Sequence, residues 1–128
     1  MRHRKNKLLQ IRGSVQKRDL VMRTMLTNLV RYGHLTTTSK KAKVLISYAN
    51  RFFSKLVSMN NTLGINAPRE ISRWTKSMIF GNDEWKKVVA ELLPQFVVRN
   101  FESSFLFHTK LGKRLGDAAE EIKIEIMK

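Results

Sequence analysis

The 128-residue chain has no cysteine, which excludes both a disulfide framework and a zinc site built on thiolates. An intracellular reducing compartment is compatible with that composition. Proline is almost missing, at two residues, and no run approaches the ~20 apolar residues of a membrane-spanning helix. The first residues lack the apolar centre of a secretory signal. They are also too densely basic to match an amphipathic, Ser-rich transit peptide, so they are expected to belong to the mature protein. Acid is the scarcest commodity in one half: residues 1–69 hold a single carboxylate, Asp19, against 15 Lys and Arg.

What is present follows from that scarcity. Residues 70–128 carry 10 Lys and Arg against 9 acids, so the first half supplies +14 of the net charge of +15. Like charge concentrated in this way repels itself, and a chain that tolerates it usually meets a polyanion. The 42% hydrophobic content suffices for a modest core, with about 65% of the unfolded surface buried in one domain of this length. The expected organisation is a basic arm over residues 1–18 and a globular domain over 19–128.

The arm contains Arg2, Arg4, Lys5, Lys7, Arg12, Lys17 and Arg18, no acid, and few aliphatics that could order it. It is expected to be extended. From Asp19 the pattern becomes helical: Met22, Met25, Leu26, Leu29 and Val30 form one stripe, Arg23, Thr27 and Arg31 share the other face, and Gly33 stops the helix. Leu35 to Thr38 predicts a short strand and Ser39 an N-cap. A second helix over 40–58 then buries Ala42, Leu45, Ile46, Ala49, Phe53 and Leu56 and exposes Lys40, Lys41, Lys43, Arg51 and Lys55. That exposed face is either a solvated surface or a polyanion contact, and its lack of any acid for i,i+4 pairing favours contact.

Residues 59–67 read as a loop. Pro68 opens a third helix with Ile71, Trp74, Met78 and Ile79 facing inward, and Gly81-Asn82 stops it. A fourth helix from Asp83 carries Trp85, Val88, Val89, Leu92 and Leu93, with Pro94 closing it. Both tryptophans fall on these stripes and are expected in the core. The period then changes: residues 105–110 read as a strand, 111–117 as a connection, and Glu120 to Ile126 alternates with Ile122, Ile124 and Ile126 on one face. The predicted class is α+β in two layers, four helices packed on a small sheet.

Reactive chemistry is lacking. Three histidines are dispersed, and the carboxylates sit mainly on solvent faces. Gly112-Lys113-Arg114-Leu115-Gly116 precedes a strand and is no phosphate loop, while Glu120, Glu121 and Glu125 alternate along a strand edge rather than converging on a metal. No enzyme activity, cofactor, metal or small-molecule substrate is expected. Phosphate binding suits the arginine forks and compact lysine charges, with Lys7, Lys17 and Lys40 included on charge alone. His3, Thr37 and Thr38 add hydrogen-bonding groups for a base or ribose.

Two blocks of residues carry a resemblance. The start Met1-Arg2-His3-Arg4-Lys5, with Arg18, Arg23, Leu35, Thr37-Thr38 and Lys41-Ala42-Lys43, resembles the bacterial large-subunit ribosomal protein L-seventeen family. So does the end, through Lys110-Leu111-Gly112, Arg114, Gly116-Asp117-Ala118-Ala119 and Ile124-Glu125, with Pro94 and Arg99 ahead of it. The resemblance implies that the short first strand joins the closing hairpin in one sheet. It implies a structural, RNA-binding role in the large ribosomal subunit near the exit of the nascent-chain tunnel, in a cytoplasmic or organelle ribosome, with neighbouring ribosomal proteins as further partners. It implies rRNA contacts at Arg2, His3, Arg4, Lys5, Arg12, Arg18, Arg23, Thr37, Thr38, Lys41, Lys43 and Arg114. The chain departs from the family pattern at Asn6-Lys7-Leu8-Leu9, at Val44 and at Ser103-Ser104-Phe105, and residues 59–84 carry no resemblance. The competing class is a DNA-binding protein using the helix pair around Gly33. Gly33 to Ser39 is longer than a helix-turn-helix turn, which counts against it.

Overall fold

A computed structural model describes residues 14–99 and 104–127. Helix α1 spans Val15–Tyr32, strand β1 His34–Thr38 and helix α2 Ser39–Thr62. After a 3-10 turn at Gly64–Asn66, helix α3 covers Ala67–Met78. Helix α4 (Asn82–Lys87) runs through a π-helical turn (Val88–Leu92) into α5 (Leu93–Val98), so the three form one interrupted helix. Strands β2 (Leu106–Lys113) and β3 (Glu120–Ile126) close the fold. The α+β class, with four helices counted in this way, agrees with the pattern of the sequence.

Helix α1 begins at Val15 rather than Asp19. Ser14 caps it, its hydroxyl oxygen accepting from the Lys17 backbone N–H at 3.4 Å. The cap does not need apolar residues, so hydropathy periodicity alone missed the first turn. Lys17 and Arg18 therefore ride on a helix, Asp19 falls beyond its first turn, and residues 1–13 of the expected arm lie outside the described residues. At the other end Gly33 takes the left-handed conformation, φ 77°, and its N–H donates to Leu29 O at 2.8 Å.

Helix α2 occupies the centre, touching α1, α3, α5, β1 and β3. Thr38, not Ser39, stands at its N-cap, because Thr38 is still held in the sheet opposite Glu121. The helix also continues to Thr62, through residues expected to form a loop. Val57 is buried and Met59 packs on the core, and that burial outweighs the turn preference of Asn60 and Asn61, which sit exposed in the last turn. Pro68 occupies the first turn of α3, as expected.

Pro94 does not end the fourth helix. Leu93 donates its N–H to Val88 O, five residues back, and this wide turn removes the need for a proline N–H in the next. The helical path continues, with Val88, Leu92, Leu93 and Phe96 buried.

The sheet order is β1-β3-β2, both pairs antiparallel. Leu35 faces Ile124 and Thr37 faces Ile122 across one seam; Leu106 faces Ile126, His108 faces Ile124 and Lys110 faces Ile122 across the other. Strand β2 runs three residues past its expected end, since a bulge between Lys110 and Gly112, with Gly112 at φ 100°, lets Gly112 and Lys113 pair with Glu121 and Glu120. The three buried isoleucines of β3 turn toward α2. Phe53, Phe96 and Phe105, all fully buried, meet with ring centroids 4.9 to 5.8 Å apart and tie α2 and α5 to the residue that leads into β2. Trp74 is half-buried, stacked on Phe52 at 6.0 Å with the Lys55 ammonium over its ring; Trp85 is half-buried beside Lys76.

Candidate nucleic-acid interface

The basic face of α2 follows from helical geometry. With Ala42, Leu45, Ala49, Phe52, Phe53 and Leu56 drawn inward, Lys40, Lys41, Lys43, Arg51 and Lys55 are left exposed. No acid occurs within the 24 residues of the helix. Among the described residues the ion pairs are Arg31–Glu84, Arg73–Glu70, Arg114–Asp117 and Lys123–Glu125, and none uses a cation of α2. Lys40 and Lys41 lie in its first turn with Lys43 just beyond, where the helix dipole disfavours positive charge. Thr38 supplies no side-chain bond to the free backbone N–H groups there. Lysines and uncapped amides at one helix start present donors and positive charge outward, a poor arrangement for an isolated protein and a good one for phosphate oxygens.

The other expected contact residues are differently placed. Lys17 is exposed on α1 and Arg18 half-buried. Arg23 is not a free cation: its guanidinium carbon lies 4.4 Å from the centre of the Phe80 ring, and its Nε is buried without a hydrogen-bond partner. Thr27, expected beside it on the polar face, is buried. Thr37 and Thr38 point to opposite faces of the sheet, so their hydroxyls do not act together. Arg114 lies in the β2–β3 turn and makes a bidentate pair with Asp117, both bonds 2.6 Å. That pair, with an N–H from Ala119, holds the Asp117 carboxyl well below the usual range. Arg2, His3, Arg4, Lys5, Lys7 and Arg12 lie outside the described residues.

The structure also exposes groups that sequence periodicity passed over. His108 and Lys110 occupy β2 positions on the face of Ile122 and Ile124, where a helix-covered strand would carry aliphatics. The signal was a break in the alternation. Elsewhere, Arg31 bonds Glu84 at 2.7 Å, raising the arginine and lowering the carboxyl in pKa. Burial, reinforced by the negative charge of Asp19, pushes the Tyr48 phenol up to about 12. Among the described residues no three His, Asp or Glu side chains cluster as metal ligands would, and no helix is long and apolar enough to cross a membrane.

Comparison with known proteins identifies the family. The family model described as ribosomal protein L17 matches residues 21–127, running through the middle stretch 59–84. A large ribosomal subunit protein bL17 from Gemmatimonas aurantiaca is 31% identical over 127 residues, covering 99% of this chain and 98% of the relative. The proteins of that name from Dictyoglomus turgidum and Halothermothrix orenii are 28% and 30% identical, the first covering 99% of this chain and 100% of the relative, the second 86% and 88%. With a family match over most of its length and relatives aligned nearly end to end, the chain belongs to the ribosomal protein L17 family, whose members are structural proteins and not enzymes.

Proposed function

We propose that this protein is a structural constituent of the large ribosomal subunit that binds and stabilises rRNA near the exit of the nascent-chain tunnel, supporting subunit assembly and translation. Its partners are the large-subunit rRNA and adjacent ribosomal proteins, and its place is the ribosome of the cytoplasm. The observation that carries the reading is the start of α2, where Lys40, Lys41 and Lys43 stand exposed beside uncapped amides with no carboxylate of their own helix to neutralise them. Lys17 and Arg18 on α1 carry further positive charge, and the sequence of residues 1–13 is basic and free of acid. Such groups position an RNA backbone rather than read its sequence.

Duplex DNA is the less suitable polyanion. Between α1 and α2 lies β1, fixed in the sheet by its pairing with β3, so the two helices are not joined by the tight turn of a helix-turn-helix. The test is sedimentation of the native protein with large subunits, followed by salt release. Co-sedimentation is expected, and binding to isolated large-subunit rRNA should fall with a log-log salt slope of about −5 to −6 if roughly eight phosphates are neutralised. Recovery in the soluble pool, insensitive to salt and nuclease, would overturn the proposal.

A further inference from the structure

Between the first half of α2 and the hairpin lies a cavity of about 370 Å³. Ile46 gives the cavity its exposed apolar surface, over a floor of the fully buried Ala42 and the nearly buried Ile122 of β3. Lys43, His108 and Lys110 bring basic groups to it, and Glu120 contributes a carboxylate. We infer that this cavity takes one unstacked RNA nucleotide whose base carries an amino group. The inference rests on the proposed rRNA-binding role and specifies what part of the RNA enters this site.

The cavity is written into the sequence. Ser39, Ala42, Lys43 and Ile46 follow one another at helical spacing, so a single stripe of α2 faces the space, and the small Ala42 leaves room in its middle. Across from it, Lys110 and His108 stand opposite Ile122 and Ile124. Had β2 carried aliphatics there, the helix would close onto the strand. Closure on these residues would instead bury a lysine and a histidine, so the helix and the hairpin edge stay apart.

The lining matches the parts of a nucleotide. Sequence-specific RNA recognition relies on bases splayed out of the stack, each with a flat face to bury and a polar edge to satisfy. Ile46, with the edge of Ile122, suits the flat face, and Lys43 and Lys110 suit the phosphate. Lys40, on the flank of that stripe, is placed for the flanking backbone, whereas Lys41 lies on the opposite side of α2. Glu120 decides between ligands. A carboxylate repels a bare phosphate but accepts a hydrogen bond from an exocyclic amino group, which cytosine has and uracil lacks at the same ring position. The volume lies within the range of small-molecule sites.

The test uses the full chain with labelled isoleucine methyls, titrated separately with CMP, UMP, ribose 5-phosphate and inorganic phosphate and observed by NMR. CMP should shift the Ile46 and Ile122 methyls at a concentration about tenfold or more lower than UMP, the factor for one hydrogen bond to a charged carboxylate. Ribose 5-phosphate and inorganic phosphate should leave both methyls in place, and Glu120→Gln should erase the preference for CMP. Equal response to CMP and UMP, a response to phosphate alone, or silence toward every nucleotide would each overturn the inference. A parallel titration with large-subunit rRNA separates the two readings. Tight, salt-sensitive rRNA binding with the cavity silent leaves the ribosomal role standing without this site. Failure to bind rRNA removes that role whatever the nucleotides do.

Discussion

The backbone N–H of Phe80 donates to Thr27 Oγ1 at 3.0 Å, while the same hydroxyl donates to Arg23 O at 2.8 Å. A threonine buried on α1 thereby holds the segment between α3 and α4, 53 residues away in sequence, and places the Phe80 ring under Arg23. Thr27→Val keeps the shape and strands the Phe80 N–H. It should destabilise the protein by about 1–3 kcal/mol in urea unfolding, whereas Thr27→Ser should cost less.

Phe53→Ala removes a fully buried ring that contacts Phe52, Phe96 and Phe105. A loss of about 3–5 kcal/mol is expected, read from the same denaturation midpoint. Phe53→Leu, which retains most of the volume, should cost distinctly less.

The lysines at the start of α2 should show opposite signs in two assays. Replacing Lys40, Lys41 and Lys43 together by glutamine removes charges that oppose the helix dipole, so the free protein should gain up to about 1 kcal/mol in unfolding measurements. Binding to large-subunit rRNA should weaken, and its salt slope should become shallower by about two. Unchanged affinity and slope would show that this turn faces no phosphate.

Glu84 has its pKa lowered by the hydrogen bond from Arg31, so the pair stabilises the fold at neutral pH and the contribution disappears as pH falls through the folded value. The melting-temperature difference between wild type and Glu84→Gln should therefore shrink toward zero as pH is taken from 7 to 3.

Tyr48 behaves in the converse way at high pH. Its phenol, raised by burial to about 12, donates to Met78 Sδ at 3.6 Å. The stability due to the protonated phenol is complete below the ordinary tyrosine pKa of 10.0 and is lost as pH rises toward 12. Tyr48→Phe should remove that alkaline dependence in pH-dependent thermal melts.

How much of this was legible depended on the kind of signal. Period-two alternation placed β3 at its observed bounds, because Ile122, Ile124 and Ile126 must all reach the same helix. The stripes of α1 and α2 were legible for the same reason. The first turn of α1 was not, since a Ser14 cap replaces hydropathy there, and neither was the passage of Pro94 into α5, which depends on a backbone widening with no residue signature of its own. At the basic face, charge revealed Lys40, Lys41 and Lys43 but could not show that Arg114 is tied to Asp117 or that Arg23 lies over Phe80. Those are facts of tertiary neighbourhood.

The strand order has a consequence for how the chain is made. Strand β3 lies between β1 and β2 yet is synthesised after both. Until residues 120–126 emerge, β1 and β2 have no partner to pair with, and α2 has only part of the surface it covers in the finished fold. The hairpin can zip locally, but β1 must wait for a strand more than eighty residues downstream, a long-range closure that slows folding. The helices and their cationic face therefore precede the sheet during synthesis, and completion of the middle strand is the event that locks the two ends of the domain together.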